Sequence, residues 1–525
     1  MLDLLVTGAL VVDGSGGNAF PGAVGISGGR IAGVWRGGAT PPEAIRTIAA
    51  DGRVVAPGFV DVHNHSDLSA LILPTFDSYI RQGVTTIVVG NCGFSPWPAG
   101  GFRDGIALAY GDPDAFESPA WSSYGDYLGA LDEGRPAVNI ATLVGHGTVR
   151  QEVLGLRAGP PSDGQLERMR SLVRDAMGAG AYGVSTGLIY IPGIFAETDE
   201  VVALAEASAE AGGLYASHIR GEGEHLFGAV DEALEIGRRA GLPVHVSHLK
   251  CESSLVWGRA ADLLARLVEA EDATGDQYPY AAWNSSLASL LPPWAPVGGL
   301  ERLVRDVAAR DRLQGAVEQG EPDFQSSVRG VGWDRIVVVG TADDRWRGMD
   351  VASIADEMGF DPFAACVRLL IEDPDTSCIG HAMHDDDVHA ILADPSVFVA
   401  SDGSADAPTG PGAALPVHPR EYGTFPRALA LARDLGLLPL EAVIRKMTSL
   451  PAERFGLRDR GRLTEGVFAD LVVFDPAAVR DVATFGSPHA FPQGISLVVV
   501  NGDIAWEAER AGIARSGRVL RRGSG

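Results

Sequence analysis

The 525-residue sequence predicts an α/β fold, a closed (β/α)8 barrel that carries a small composite β-domain from both chain ends and an insertion before its last strand. Three observations predict it. Short apolar runs alternate with amphipathic helical segments through the middle of the chain, and that alternation calls for a parallel sheet. There are eight such runs, the number that closes a barrel, whereas an open doubly wound sheet is the competing arrangement. Both ends of the chain are instead strand-like and punctuated by glycine.

Taken in order, residues 1–53 contain "LVTGALVVDG" and "RIAGVWRGG", and residues 457–525 contain "FADLVVFDP" and "SLVVVNGDIAW". These pair as one composite β-sandwich domain. The barrel is expected over 54–456, with strands at 54–62, 83–91, 137–145, 181–187, 213–218, 242–248, 276–281 and 396–402. The intervals Glu200–Ala211, Glu222–Ala240 and Gly258–Ala273 place apolar residues three and four apart, as a helix with one buried face requires. The stretch 282–345, with "LLPPWAPVGG" and "LERLVRDVAARDRLQGAVEQG", is too long for a barrel connection and reads as an inserted lid or subdomain. The sequence has no internal repeat and no low-complexity segment.

Composition narrows the function. Hydrophobic residues make up 46% and charged residues 21%, a globular balance. Acidic residues outnumber basic ones by 68 to 42, and the formal charge of −26 disfavours nucleic acid and anionic membrane surfaces as partners. No uncharged apolar run approaches the roughly 18 residues of a bilayer span. The opening "MLDLLVTGALVVDGSGG" has no basic region ahead of a long apolar core, so it does not signal export. Four cysteines, Cys92, Cys251, Cys366 and Cys378, are too few for a disulfide framework in so long a chain, and a reducing cytoplasm is expected.

The chemistry collects at strand ends. In "VVAPGFVDVHNHSDLSA" an apolar run stops at His63 and His65, which lie two apart and therefore point to one side of an extended chain. Cys92 ends the second strand in "GNCG", His218 the fifth in "ASHIR", His248 the sixth in "VSHLK" and Asp402 the eighth in "ASDGS". Carboxyl ends of parallel barrel strands all open on one face, so these residues are expected to meet. Four imidazoles and a thiolate form a borderline-soft donor set that suits Zn²⁺ better than Mg²⁺ or Ca²⁺. Gly90 and Gly93 beside Cys92 allow close backbone approach.

Several segments then carry a family resemblance over nearly the whole chain. "APGFVDVHNHSD", "GVTTIVVGNCG", "STGLIYIPGIFAETDE", "SHIRGEG", "VSHLK", "SDGS", "HPREYGTFPRALA" and "RKMTSLPAERFGLRDRGRLTEGVFADLVVFDP" resemble the D-aminoacylases. These are the N-acyl-D-amino-acid deacylase branch of the TIM-type amidohydrolase superfamily. The resemblance implies zinc-dependent hydrolysis of a small-molecule substrate, an N-acyl-D-amino acid, to a carboxylic acid and the free D-amino acid. It implies a tight zinc on Cys92, His218 and His248, and a weaker second site on His63 and His65 with Cys92 able to bridge; some members work with one metal. It further implies that Asp402 is the general acid and base, and that Tyr190 and Lys250 receive the α-carboxylate. Two alternatives stand beside it. A dihydroorotase- or hydantoinase-like cyclic-amide hydrolase would place a carboxylated lysine at the end of the fourth strand, where this chain has "GVSTGLIY". A non-catalytic scaffold would lose ligands that are all present here. His146, His245, Arg220, Arg302 and Arg310 remain without a role.

Overall fold

Val84–Val89, Gly183–Gly187 and Leu214–His218 are buried at every residue, as parallel strands covered on both faces must be. In the computed structural model, which describes residues 1–98, 121–295, 297–409 and 417–523, they belong to a ring of eight parallel strands. The others are Phe59–Asp61, Asn139–Thr142 continued by Val144–Gly145, Val244–Val246, Ala273–Gln277 and Val397–Val399. Each pairs with the next in sequence. The helices between them lie outside the ring. Leu226–Ala240, for example, buries Leu226, Ala229, Val230, Ala233 and Ile236, the one-sided spacing that the sequence displays.

The ring closes between its first and last strands. Asn64 and Gly403 form a parallel bridge, Asp402 N donates to His63 O at 2.9 Å, and His65 N donates to Gly403 O at 2.9 Å. Beneath this seam the buried Asp61 carboxylate accepts from Ser401 N at 2.9 Å, Ser401 Oγ at 2.6 Å and Asn64 Nδ2 at 2.9 Å.

Some expected edges shift. The apolar run at 54–62 is two strands: Val54–Pro57 pairs antiparallel with Leu471–Phe474, and only Phe59–Asp61 enters the barrel. The chain therefore leaves the composite sheet at Pro57, not at residue 53. The seventh strand, expected at 276–281, is Ala273–Gln277, because the polar "ATGDQ" pairs on both sides while Tyr278 and Tyr280 lie beyond the strand end. Of the expected helices, the first and third are Thr198–Ala209 and Ala260–Glu269, and the second starts later, at Leu226, after the loop "RGEG".

The two chain ends share one branched eight-stranded sheet. Leu2–Val11 pairs with Phe20–Ser27 on one side, and on the other with Ala44–Ala49 and then with Val54–Pro57. The insertion is larger than 282–345. Its antiparallel sheet takes Trp283–Ser286, Ile336–Gly340 and Ser377–Gly380, so it reaches Gly380, and it encloses an apolar core of its own around Leu287, Leu313, Val338, Ile354 and Leu370. Its third strand pairs with partners far away in sequence, which local periodicity does not reveal.

The seam gives a direct test of the closure. Asp61→Ala orphans the buried donors of Ser401 and Asn64, each at a cost of ~1–3 kcal/mol. The melting temperature should fall by several degrees in a calorimetric scan; an unchanged melt would show that the ring closes without this carboxylate.

Candidate active site and metal centre

The site forms where the backbone is forced into rare conformations. Cys92, His248 and Asp402 leave their strands in the left-handed region, with φ of 51°, 34° and 50°. For residues with a Cβ this costs about 1–3 kcal/mol each and persists only where the surroundings over-determine it, most often at functional sites. Two residues ahead of Cys92, Gly90 has φ of +84°, and a Cβ there would stand 2.0 Å from Leu143 O. Glycine is required for the chain to reach the thiol's position.

Every residue singled out at a strand end reaches one cluster. His63 Nε2 lies 3.2 Å from Cys92 Sγ, Cys92 Sγ lies 3.6 Å from His248 Nε2, and that nitrogen lies 2.8 Å from His218 Nδ1. Asp402 Oδ1 lies 3.0 Å from His65 Nε2 and 3.2 Å from His63 Nε2. One ligand atom each from His63, Cys92, His248 and Asp402 falls within a 4.8 Å span, and His218, Glu222 and His248 make a second such group. The cluster is buried except for the rims of His65 and Cys92.

The donors suit a soft divalent ion. Burial pushes the Cys92 thiol up, but the imidazoles of His63 and His65 outweigh it and hold the thiol well below its ordinary value, favouring the thiolate that binds metal. Burial lowers His218, which keeps its ring neutral, and its Nε2 has no hydrogen-bond partner among the described residues, with Glu222 3.8 Å away. For His65, burial acts downward but Cys92 and then Asp402 raise it to about 10. Loading a metal onto this cluster must therefore displace protons. Thiolate and imidazole together select zinc over oxygen-seeking cations.

Three residues that sequence reasoning missed support the cluster. Asp276 Oδ2 lies 3.1 Å from His63 Nδ1 and 2.8 Å from His245 Nε2, while Oδ1 accepts from His248 N at 2.8 Å. This gives the unassigned His245 its place. Asp276 opens the range expected for its strand and was not singled out; in Ala273–Gln277 it is the fourth residue and is buried. Glu222, in "SHIRGEG", lies 2.9 Å from His248 Nδ1 and 2.6 Å from Lys250 Nζ. Arg420, in the "HPR" segment, places Nη1 2.8 Å from Asp402 Oδ2. For Asp402, burial acts upward, but Arg420 and then His63 hold the carboxyl well below the usual range.

The expected carboxylate receivers flank the cluster. Tyr190 is 37% exposed and sets its ring edge-on to His218 at 4.9 Å. Lys250 is only 5% exposed and already paired with Glu222. His146 and Arg220 bond elsewhere on the rim, Arg310 pairs with its neighbour Asp311 at 2.9 Å on the insertion surface, and Arg302 is exposed on the same unit.

Residues 46–320 and 354–505 match the family model described as "Amidohydrolase family". The chain belongs to the amidohydrolase family. It is 38% identical to the N-acyl-D-glutamate deacylase of Alcaligenes xylosoxydans xylosoxydans over 99% of this chain and 97% of that protein. It is 35% identical to the D-aminoacylase of the same organism, over 99% and 98%. Among solved structures, the N-acyl-D-glutamate deacylase of Bordetella bronchiseptica is complexed with zinc and a phosphonate mimic of the reaction's tetrahedral intermediate. It superposes with a TM-score of 0.82 at 34% identity, covering 99% of both chains. Within the amidohydrolases the chain thus falls in the D-aminoacylase branch.

The carboxylate behind the imidazoles can be tested alone. Changing a group that orients metal-ligating histidines typically lowers metal affinity ~10–100-fold. Asp276→Asn should do so in a chelator-competition titration with zinc, and unchanged affinity would show that Asp276 only packs.

Proposed function

We propose that this protein is a zinc-dependent amidohydrolase that cleaves N-acyl-D-amino acids to a carboxylic acid and the free D-amino acid. The observation that carries the reading is the convergence of Cys92, His63, His65, His218, His248 and Asp402 in a chain aligned end to end with N-acyl-D-amino-acid deacylases. The preference for the D form rests on those relatives. A cytoplasmic enzyme acting on a free small molecule fits the acidic surface, and no helix among the described residues is long and apolar enough to cross a membrane.

In this reading Cys92, His218 and His248 would hold one zinc tightly, and His63 and His65 would hold a second more weakly, with Cys92 available to both. When bound, zinc supplies a Lewis acid for the amide carbonyl and lowers the pKa of water towards ~7. The chain's own groups do the rest. Arg420 pairs with Oδ2 of Asp402, so Oδ1, on the side of His63 and His65, is the atom that would take a proton from the attacking water. As the new C–O bond forms and the C–N bond breaks, Asp402 returns that proton to the leaving nitrogen, since an amine leaves poorly until protonated. Tyr190, beside His218, and Lys250, beside His248, receive the substrate's α-carboxylate.

The reading is tested on paired N-acetyl-D- and N-acetyl-L-amino acids, with metal measured on the same preparation. The D series should be hydrolysed by protein holding at least one zinc per chain. Hydantoins or dihydropyrimidines turned over in its place would move the protein to cyclic amides, and full activity without divalent metal would end the proposal. Asp402→Asn should keep its zinc and lose ~10²–10⁴-fold in kcat, the usual contribution of a general acid and base. Near-native turnover in that variant would assign the proton to another group.

A further inference from the structure

The segment after the fourth barrel strand carries Tyr190 to the mouth of the site and then runs through the short turn Gly193–Phe195 to the helix at Thr198. Its backbone makes local turn bonds, among them Ile194 N to Tyr190 O at 2.8 Å, Phe195 N to Pro192 O at 3.2 Å and Ala196 N to Gly193 O at 3.0 Å. Loops at a barrel mouth are ordinarily the mobile part of the fold. This one is tied down by two arginines from other elements.

Arg150 is fully buried on the helix His146–Leu154. Its Nε donates to Pro192 O at 3.1 Å, Nη2 to Gly159 O at 2.7 Å and Nη1 to Glu200 Oε2 at 2.8 Å. The other oxygen of Glu200 lies 2.8 Å from His146 Nε2. Arg220, two residues beyond His218, donates Nη1 to Ile194 O at 3.3 Å and Nη2 to Ala196 O at 3.0 Å. Glu232 balances it at 2.9 and 3.0 Å and accepts from Thr198 Oγ1 at 2.8 Å. Three carbonyls of one loop are thus taken by two guanidiniums, each with its own carboxylate. Burying such a charge is costly unless it is both paired and fully hydrogen-bonded. At the root of the loop a Cβ on Gly187 would stand 2.1 Å from Cys92 O, so the loop also rests on the backbone of the thiol ligand.

We infer that Arg150 and Arg220, held by Glu200 and Glu232, are positioning residues that clamp the 188–196 loop so that the Tyr190 hydroxyl meets the substrate's α-carboxylate. This rests on the carboxylate-binding reading of Tyr190 given above. The arginines touch neither the substrate nor the metal ligands' side chains; they act through the backbone of the loop. Their absence should therefore weaken substrate binding and spare the chemistry.

The test is a double-mutant cycle on the zinc-loaded full-length enzyme with an N-acetyl-D-amino acid. Tyr190→Phe, which keeps the ring and removes the hydroxyl, should raise KM roughly tenfold, the scale of one hydrogen bond to a charged group. Arg220→Met, at a partly exposed position, should raise KM by about three- to tenfold with kcat and zinc content held, and Arg220→Lys should recover part of it. In the Tyr190→Phe background the Arg220→Met increment should vanish, because coupled residues are not additive. Arg150→Lys should behave in the same way from the buried side. An increment of equal size with and without the Tyr190 hydroxyl overturns the clamp, as does a loss that falls on kcat or zinc. A raised KM in Tyr190→Phe with no effect of either arginine overturns the clamp alone. A silent Tyr190→Phe removes the carboxylate reading, and the inference falls with it.

Discussion

The seam that closes the barrel is the constraint on which the rest depends. His63 and His65 leave the first strand and Asp402 leaves the eighth, and hydrogen bonds spanning some 340 residues of sequence bring them together. Asp61 accepts from four donors at that seam, and the backbone pairs Asp402–His63 and His65–Gly403 lie beside it. The distances from Asp402 to both imidazoles are set there. Burial raises the Asp61 carboxyl to about 6, with the bonds from Ser401 and Asn64 opposing the rise. Its contribution to stability is therefore full in the acid range and is given up as the pH climbs through about 6. The hydrogen bonds from Ser401 and Asn64 favour the charged form and so limit the carboxyl's rise.

Above the seam, the site solves one electrostatic problem repeatedly. A buried ionised group is tolerated only when it is paired and hydrogen-bonded. Asp276 serves His63, His245 and the backbone of His248 together. Glu222 serves His248 and Lys250, and Asp402 serves two imidazoles and Arg420. Each histidine that faces the thiol except His218 has a carboxylate within 3.2 Å. His218 is also the ring that burial keeps neutral, with a nitrogen left unpartnered among the described residues.

What the sequence disclosed follows from what is local in it. Seven of the eight barrel strands lie close to their expected positions because a strand buried on both faces announces itself as an apolar run, whereas the seventh, Ala273–Gln277, overlaps its expected range only at 276–277. Cys92, the four histidines and Asp402 were legible because each interrupts such a run at its carboxyl end. Asp276 was hidden, since "ATGDQ" has no apolar run and its register is set by strands on either side. Glu222 and Arg420 lie in polar loops where nothing distinguishes a working charge from a solvated one. The far edge of the insertion was hidden for a related reason: Ser377–Gly380 takes its place from antiparallel partners, Trp283–Ser286 and Ile336–Gly340, that lie far away in sequence.

Pairing has a consequence for recognition under the proposed function. Neither cation beside the cluster is bare, because Lys250 is bound to Glu222 at 2.6 Å and Arg420 lies 2.8 Å from Asp402. Burial acts downward on Lys250, but Glu222 outweighs it and holds the ammonium protonated well above its ordinary value, so its charge does not depend on a ligand. An arriving carboxylate must share that ammonium with Glu222, and the attraction it gains is smaller than an unpaired cation would give. Charge alone then discriminates weakly. What remains is geometry: a carboxylate is favoured only if it reaches both Lys250, beside His248, and Tyr190, beside His218. The rigidity of the loop that carries Tyr190 thereby becomes part of substrate selection, and this accounts for two arginine–glutamate pairs being committed to holding a few residues of backbone.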